Sequence, residues 1–322
     1  MKRIGKIIGL TAIIASFTVM SLGCGSTSSA SKETKAPASV ETGSVSGSAT
    51  VAETKEAAKE TAEETKAPET ETSKAEDSIE EQVILDEQGL KITAKALDKN
   101  GVMGPAIKLL IENESGQDVT VQTRNASVNG YMVDTMLSAD VVNGKKSNES
   151  LVFSSGDLKN AGISTIADME FSFHVFETSS WKDIFDSDQI QIKTSAADTY
   201  EYVFDDSGEV AYEGDGIKVV IKGLNTEDSI LGPGLVIYIA NENDNAITVQ
   251  ARDVSVNGFM LDPIFSSEVM AGKHALDSVT FMSSQLTDND IENIEDIELS
   301  FHIFDTKSWD TIKDTDTIKI TF

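Results

Sequence analysis

The sequence predicts an all-β protein: two β-sandwiches in tandem, placed behind an apolar leader and a polar tail. Three observations lead there. Residues 121–130 read VQTRNASVNG and residues 249–258 read VQARDVSVNG, and seven of the ten positions are identical. The spacing holds on both sides of this pair, so most of the chain is one unit written twice at an offset of 128 positions, Val121 to Val249. Within each copy, apolar and polar residues alternate in short runs separated by turn residues, the signature of half-buried strands in a sandwich.

The leader comes first. Lys2, Arg3 and Lys6 precede an almost uncharged apolar run, residues 7–22, which is the layout of a secretory signal. The chain's single cysteine, Cys24, follows Ser21, Leu22 and Gly23. This arrangement resembles a bacterial lipobox, with Ser21 and Leu22 swapped relative to the usual order. The resemblance implies diacylglycerol attachment at Cys24, cleavage after residue 23 and display on the extracellular face of the cell membrane. An uncleaved membrane helix is the less favoured alternative, because the run is slightly short for a full span. One cysteine also excludes an intrachain disulfide.

Residues 24–82 form the expected tether. The stretch from Gly25 to Gln82 contains no aromatic residue and is dominated by Ser, Thr, Ala, Glu and Lys. Such a composition buries too little apolar surface to offset its ordering entropy. As a coil of about 58 residues it spans roughly 40 Å, and fully stretched at most about 200 Å.

The repeated unit is read in chain order. Leu90, Ile92 and Ala94 are matched by Ile217, Val219 and Ile221, with a one-residue slip. Ile107, Leu109 and Ile111 are matched by Leu235, Ile237 and Ile239 in strict alternation. Residues 114–118 and 242–245 are turns. Val119, Val121 and Thr123 then alternate with Thr120, Gln122 and Arg124. Asn129 and Gly130, like Asn257 and Gly258, predict a type I′ hairpin, in which both central residues need positive φ. Residues 151–153 and 279–281 are short strands. Residues 157–166 and 286–294 suggest a helical turn. The strongest strand has Met169, Phe171, Phe173 and Val175 on one face, matched by Ile297, Leu299, Phe301 and Ile303. Its other face has Ser172, His174 and Phe176, matched by Ser300, His302 and Phe304. The pairs Ile190/Ile192 and Ile318/Ile320 close each copy. The expected sandwiches span residues 83–195 and 209–322. The joint, residues 196–208, carries Tyr200, Tyr202 and Phe204 in alternation and is expected to add a strand, making a semi-rigid pair.

These features carry a family resemblance over about three quarters of the chain. A Gly-Leu-Lys-Ile-Thr strand opens the pattern, followed by an Ile-x-Leu-x-Ile-x-Asn strand and a Ser-Val-Asn-Gly hairpin. A Phe-Ser-Phe-His-Val-Phe strand and then a tryptophan complete it. Together they resemble the telokin-like, immunoglobulin-like repeat domains of Gram-positive lipoproteins. The resemblance implies an immunoglobulin-like sandwich in a non-catalytic envelope module, with no catalytic residues to transfer.

The formal net charge is -28, most of it in the repeated part. Such a surface repels phosphate backbones, so nucleic acid is excluded as a partner. The expected partners are the membrane, through the lipid anchor, and an envelope protein or wall polymer. No cofactor or metal site is expected.

Reactive constellations are sparse. The sequence contains no Gly-x-Ser-x-Gly elbow and no His-Glu-x-x-His. His174 and His302 recur at one strand position and are read as edge or surface packing. His274 has no counterpart, since Lys146 stands there. Arg124 and Arg252 suit either a carboxylate ligand or, more simply, an acidic neighbour. Trp181 and Trp309 follow the strongest strand. A sugar-stacking platform is one reading, and sealing the end of the sandwich core is the favoured one. The acid groups Asp183/Asp186/Asp188 and Asp310/Asp314/Asp316 lack the spacing of an EF-hand, as does the run Asp288, Asn289, Asp290, and they read as solvated loop acids. The expected function is therefore envelope binding or scaffolding without catalysis. The rivals are an envelope hydrolase acting on wall polymers and a calcium-dependent adhesin.

Overall fold

The computed structural model describes residues 77–226 and 231–322. The leader, Cys24 and the tether up to residue 76 lie outside the described residues. The described part is all-β with two short helices. The first copy contributes β1 (Gln82–Glu87), β2 (Leu90–Asp98), β3 (Ala106–Asn113), β4 (Val119–Val128), β5 (Tyr131–Met132), β6 (Thr135–Met136), β7 (Ser138–Val141) and β8 (Lys145–Phe153). It continues with α1 (Ser155–Asn160), β9 (Asp168–Glu177), β10 (Asp183–Asp186) and β11 (Ile190–Lys193). The second copy contributes β12 (Glu209–Gly214), β13 (Ile217–Asn225), β14 (Gly234–Asn241), β15 (Ile247–Val256), β16 (Phe259–Met260), β17 (Ser266–Val269) and β18 (His274–Thr280). It ends with α2 (Ser283–Asp288), β19 (Asp296–Asp305), β20 (Thr311–Asp314) and β21 (Ile318–Thr321).

Alternation fixes which residues face inward. On β3, Ile107, Leu109 and Ile111 are buried, and on β9 so are Met169, Phe171, Phe173 and Val175. They meet in one core, and their equivalents on β14 and β19 meet in a second. One sheet runs β1-β2-β3-β8-β6. A second runs β10-β9-β4-β5-β18-β14-β13-β12, with β7 and β11 on β4 and β9. The third runs β16-β15-β19-β20, with β17 and β21 on β15 and β19. Sheets facing each other across apolar cores are consistent with sandwich packing.

The hairpin expectation holds at both sites. Asn129 and Gly130 have φ of 50° and 85°, and Asn257 and Gly258 have 50° and 81°. Each asparagine does a second job. Asn129 Oδ1 accepts from the backbone N–H of Ala167 and Asp168, and Asn257 Oδ1 accepts from those of Glu295 and Asp296. The turn is thereby tied to the start of the long strand.

Two boundaries differ from expectation. Residues 77–81 were expected in the tether, yet Asp77 is buried. Its carboxylate accepts from Ile166 N at 2.7 Å and pairs with Lys99 Nζ at 2.9 Å, while Ser195 N donates to Ser78 O. A polar residue with a buried partner is invisible to composition. The joint, residues 196–208, adds no strand. It makes a turn, with Tyr200 N donating to Ala196 O, and then packs Tyr202 and Phe204 against Tyr131 at ring-centroid distances of 5.5 and 5.2 Å. The aromatic alternation there serves packing rather than a ladder.

The copies meet directly. β5 pairs with β18 in parallel, Tyr131 against His274, which makes the second sheet continuous across both copies. Val220, Tyr238 and Ala240 of the second copy belong to the first core. Phe259 takes the place of Tyr131 in the second copy and is 47% exposed, while Tyr131 is buried.

Candidate functional site

The outer face of each long strand pair gathers side chains that are distant in sequence. Cross-strand partners share a face. In the first copy, Ser138, Gln122, His174 and Asp186 form one row across β7, β4, β9 and β10. Asp140, Thr120, Phe176 and Asp183 form the next. In the second copy the rows are Ser266, Gln250, His302, Asp314 and Glu268, Thr248, Phe304, Thr311. The Ser–Gln–His–Asp row is therefore present twice.

Both rows are wired alike. Gln122 Nε2 donates to Ser138 Oγ at 3.3 Å, and Gln250 Nε2 to Ser266 Oγ at 3.4 Å. His174 Nδ1 lies 2.6 Å from Asp186 Oδ1, and His302 Nδ1 lies 2.6 Å from Asp314 Oδ1. The other ring nitrogen of His174, Nε2, is 3.4 Å from Asp183 Oδ1. A bulge follows each arginine, with Asn125 and Asp253 at φ of 54° and 50°. Arg124 Nη1 lies 3.6 Å from Asp186 Oδ1, while Arg252 Nη2 donates to Gln250 Oε1 at 2.7 Å. Among the described residues, the acidic neighbour expected for the arginine is present in the first copy only.

The tryptophans depart from the favoured reading. Trp181 and Trp309 do not seal the core: each is 73% exposed. Each lies flat on a phenylalanine, Trp181 on Phe176 at 5.4 Å and 15° and Trp309 on Phe304 at 5.3 Å and 16°. His174 and His302 continue the aromatic rows at 5.4 and 5.2 Å. The tight β9–β10 turn is the cause. Glu177 N donates to Lys182 O and Trp181 N to Glu177 O, each at 2.9 Å. Asp305 N to Asp310 O and Trp309 N to Asp305 O repeat the pattern. This closure holds Trp181 and Trp309 at φ of 60° and 63°, which sets the rings on the outer face. Phe176 and Phe304, the floor under the tryptophans, were legible only as alternate residues of the long strand.

The loop acids are split up. Asp183 and Asp186 go to His174, and Asp314 goes to His302. Among the described residues no three acidic or histidine side chains converge on a metal position. Cys24, the expected lipid site, lies outside the described residues. Among those described, no helix is long and apolar enough to cross a membrane.

His274, which has no counterpart, sits at the junction. It stacks on Phe204 at 3.5 Å and 21°, and its Nδ1 lies 2.7 Å from Tyr238 Oη. Burial pushes its pKa down to about 4, with Lys273 adding to the effect. A cleft of about 420 Å³ beside the junction is lined by Arg124, Asp134, Asp157, Glu268 and Asp277, among others. Burial raises the carboxyl pKa of Asp157, Glu268 and Asp277 above the usual range.

No family model matches the chain, and no curated protein does. Among solved structures, a crystal structure of YadV chaperone is similar over 67% of this chain and 92% of its own, at 8% identity and a TM-score of 0.23. So weak a likeness carries no argument about this protein.

Proposed function

We propose that the chain is an exported lipoprotein, anchored through Cys24 at the extracellular face of the cell membrane. On this reading its two copies are tandem immunoglobulin-like sandwiches that act as non-catalytic binding modules. The leader and the placement of the lone cysteine support the anchor. One observation carries the binding role: the same outward face, with an exposed tryptophan beside a Ser–Gln–His–Asp row, stands on both copies, although His174, Phe176 and Phe304 within it are buried. A hydrolytic triad needs the free ring nitrogen of its histidine to face a hydroxyl. In His174 that nitrogen faces the Asp183 carboxylate instead, which favours binding over turnover in the first copy. Two weak sites on one chain raise apparent affinity about a hundredfold or more when both engage.

The test is sedimentation of the purified full chain, carrying Cys24→Ala, with isolated cell envelopes. The chain is expected to sediment with them, and the Trp181→Ala/Trp309→Ala pair to abolish it. A chain that stays in solution with every envelope fraction overturns the binding role. Metabolic labelling with a radioactive fatty acid, lost in Cys24→Ala, checks the anchor.

A further inference from the structure

We infer that each repeated face is a sugar-binding surface, and that the ligand is a non-acidic polysaccharide with one pyranose ring stacked on Trp181 and another on Trp309. The inference rests on the binding role proposed above and names its ligand class. It starts from what folding does not explain. A large aromatic ring is ordinarily most useful in a core, yet both tryptophans are 73% exposed. A bulky residue in the left-handed region costs on the order of 1 kcal/mol where glycine costs nothing, yet both turns place tryptophan there. The stack orders the indole: one face lies on Phe176 or Phe304 and the other is left to solvent.

A flat, pre-ordered π-face suits a pyranose ring. The axial C–H groups on one side of the sugar are weakly positive and meet the negative face of the indole. Sugar hydroxyls both donate and accept, so they need planar donors and planar acceptors side by side. Gln122, Asp186 and Arg124 supply these in the first copy, where His174 is itself buried and engaged by Asp183 and Asp186, and Gln250, His302, Asp314 and Arg252 supply them in the second. The His–Asp pairs, at 2.6 Å in both copies, hold the imidazoles in one orientation. Charge selects among glycans. The first face carries Asp140, Asp183 and Asp186 against Arg124, on a chain of net charge -28. Uronic acids and polymers bearing phosphate are repelled, while neutral and amine-bearing rings are not.

The chain contains two tryptophans, and these are the two in the sites, so tryptophan emission, excited beyond the absorption of the five tyrosines, reports on the sites alone. The experiment titrates the full chain carrying Cys24→Ala with three oligosaccharides: the hexamer of N-acetylglucosamine, its de-acetylated amine form, and a galacturonate oligomer of similar length. The expected result is a blue shift and at least twofold protection from acrylamide quenching with the first or second, and none with the third. Trp181→Ala and Trp309→Ala should each halve the signal and weaken retention on insoluble chitin or chitosan by tenfold or more. The more conservative Trp181→Phe should keep part of the retention, and all variants should melt within a few degrees of the parent. If envelopes retain the chain through the tryptophans but none of the three sugars changes the fluorescence, the inference is wrong, while the binding role stands. If neither envelopes nor sugars bind, both fail. A preference for galacturonate overturns the charge argument and with it the stated ligand class.

Discussion

Replacing Asn113 by leucine should cost about 3 kcal/mol, and the structure shows why. Asn113 is 0% exposed at the end of β3. Its Nδ2 donates to Gln117 O at 2.8 Å and to Val141 O at 2.7 Å, and its Oδ1 accepts from Ser115 N at 3.0 Å. Leucine has nearly the same shape and none of these groups. The buried Val141 carbonyl then loses this donor, at about 1–3 kcal/mol, and the two turn bonds cost about 1 kcal/mol each once water replaces them. Burying the extra apolar surface returns about 1 kcal/mol. Urea denaturation followed by far-UV circular dichroism reads the difference directly. The midpoint should fall while the slope is unchanged, because the surface exposed on unfolding is the same. Asn241→Leu should behave alike, since Asn241 donates to Asn245 O, Val269 O and Met270 O. A loss below about 1 kcal/mol for both variants would show that these corners are held by apolar packing and not by the asparagine.

Two further outcomes follow from other parts of the molecule. The folded pKa of His274, about 4, lies below its ordinary 6.5. Its contribution is therefore fully present above pH 6.5 and is lost as pH falls from there towards 4. The shift is worth at most about 3 kcal/mol, and about 1–2 kcal/mol after solvent screening of a ring that is only partly buried. Asp157, Glu268 and Asp277 act with the opposite sign, since raised carboxyl pKa values favour the fold on acidification. The pH dependence of stability should therefore be compared between the parent and His274→Phe, and equal slopes between pH 6.5 and 4 would refute the assignment. Gly104→Ala should prevent correct closure of the corner before β3. Gly104 has φ of 143°, and an added Cβ would lie 1.8 Å from Phe153 O. A soluble, fully cooperative Gly104→Ala protein with an unchanged melting temperature would refute this.

The strands, the type I′ hairpins and the inward faces were legible in the sequence because each is a local matter. A period of two states which side chains share a face, and Asn-Gly states where the backbone must take positive φ. Phe171 and Phe173 could be assigned to the core with no knowledge of their partners. The candidate residues were legible one at a time: His174, Arg124, Trp181 and Asp186. Their assembly was not, because cross-strand register joins Asp186 to His174 and Gln122 to Ser138. The position of Trp181 was misread because the closure of a turn, and not hydrophobicity, decides on which side of the sheet a ring emerges.

The duplication, the acidic surface and the two-layer core patterns were thus determined by the sequence alone, through periodicity and composition, which need only neighbours along the chain. Tertiary structure decided how the two copies differ. Tyr131 and His274 meet Phe204 in a junction, and Tyr238 packs on both of them, whereas the positions corresponding to Tyr131, Tyr238 and His274 in the other copy carry Phe259, Leu110 and Lys146. Tertiary structure also turned scattered polar residues into one repeated face. The physical reason is the same in both cases: burial and hydrogen bonding between strands, from His174–Asp186 to Tyr131–His274, depend on register and closure, and no local pattern encodes them.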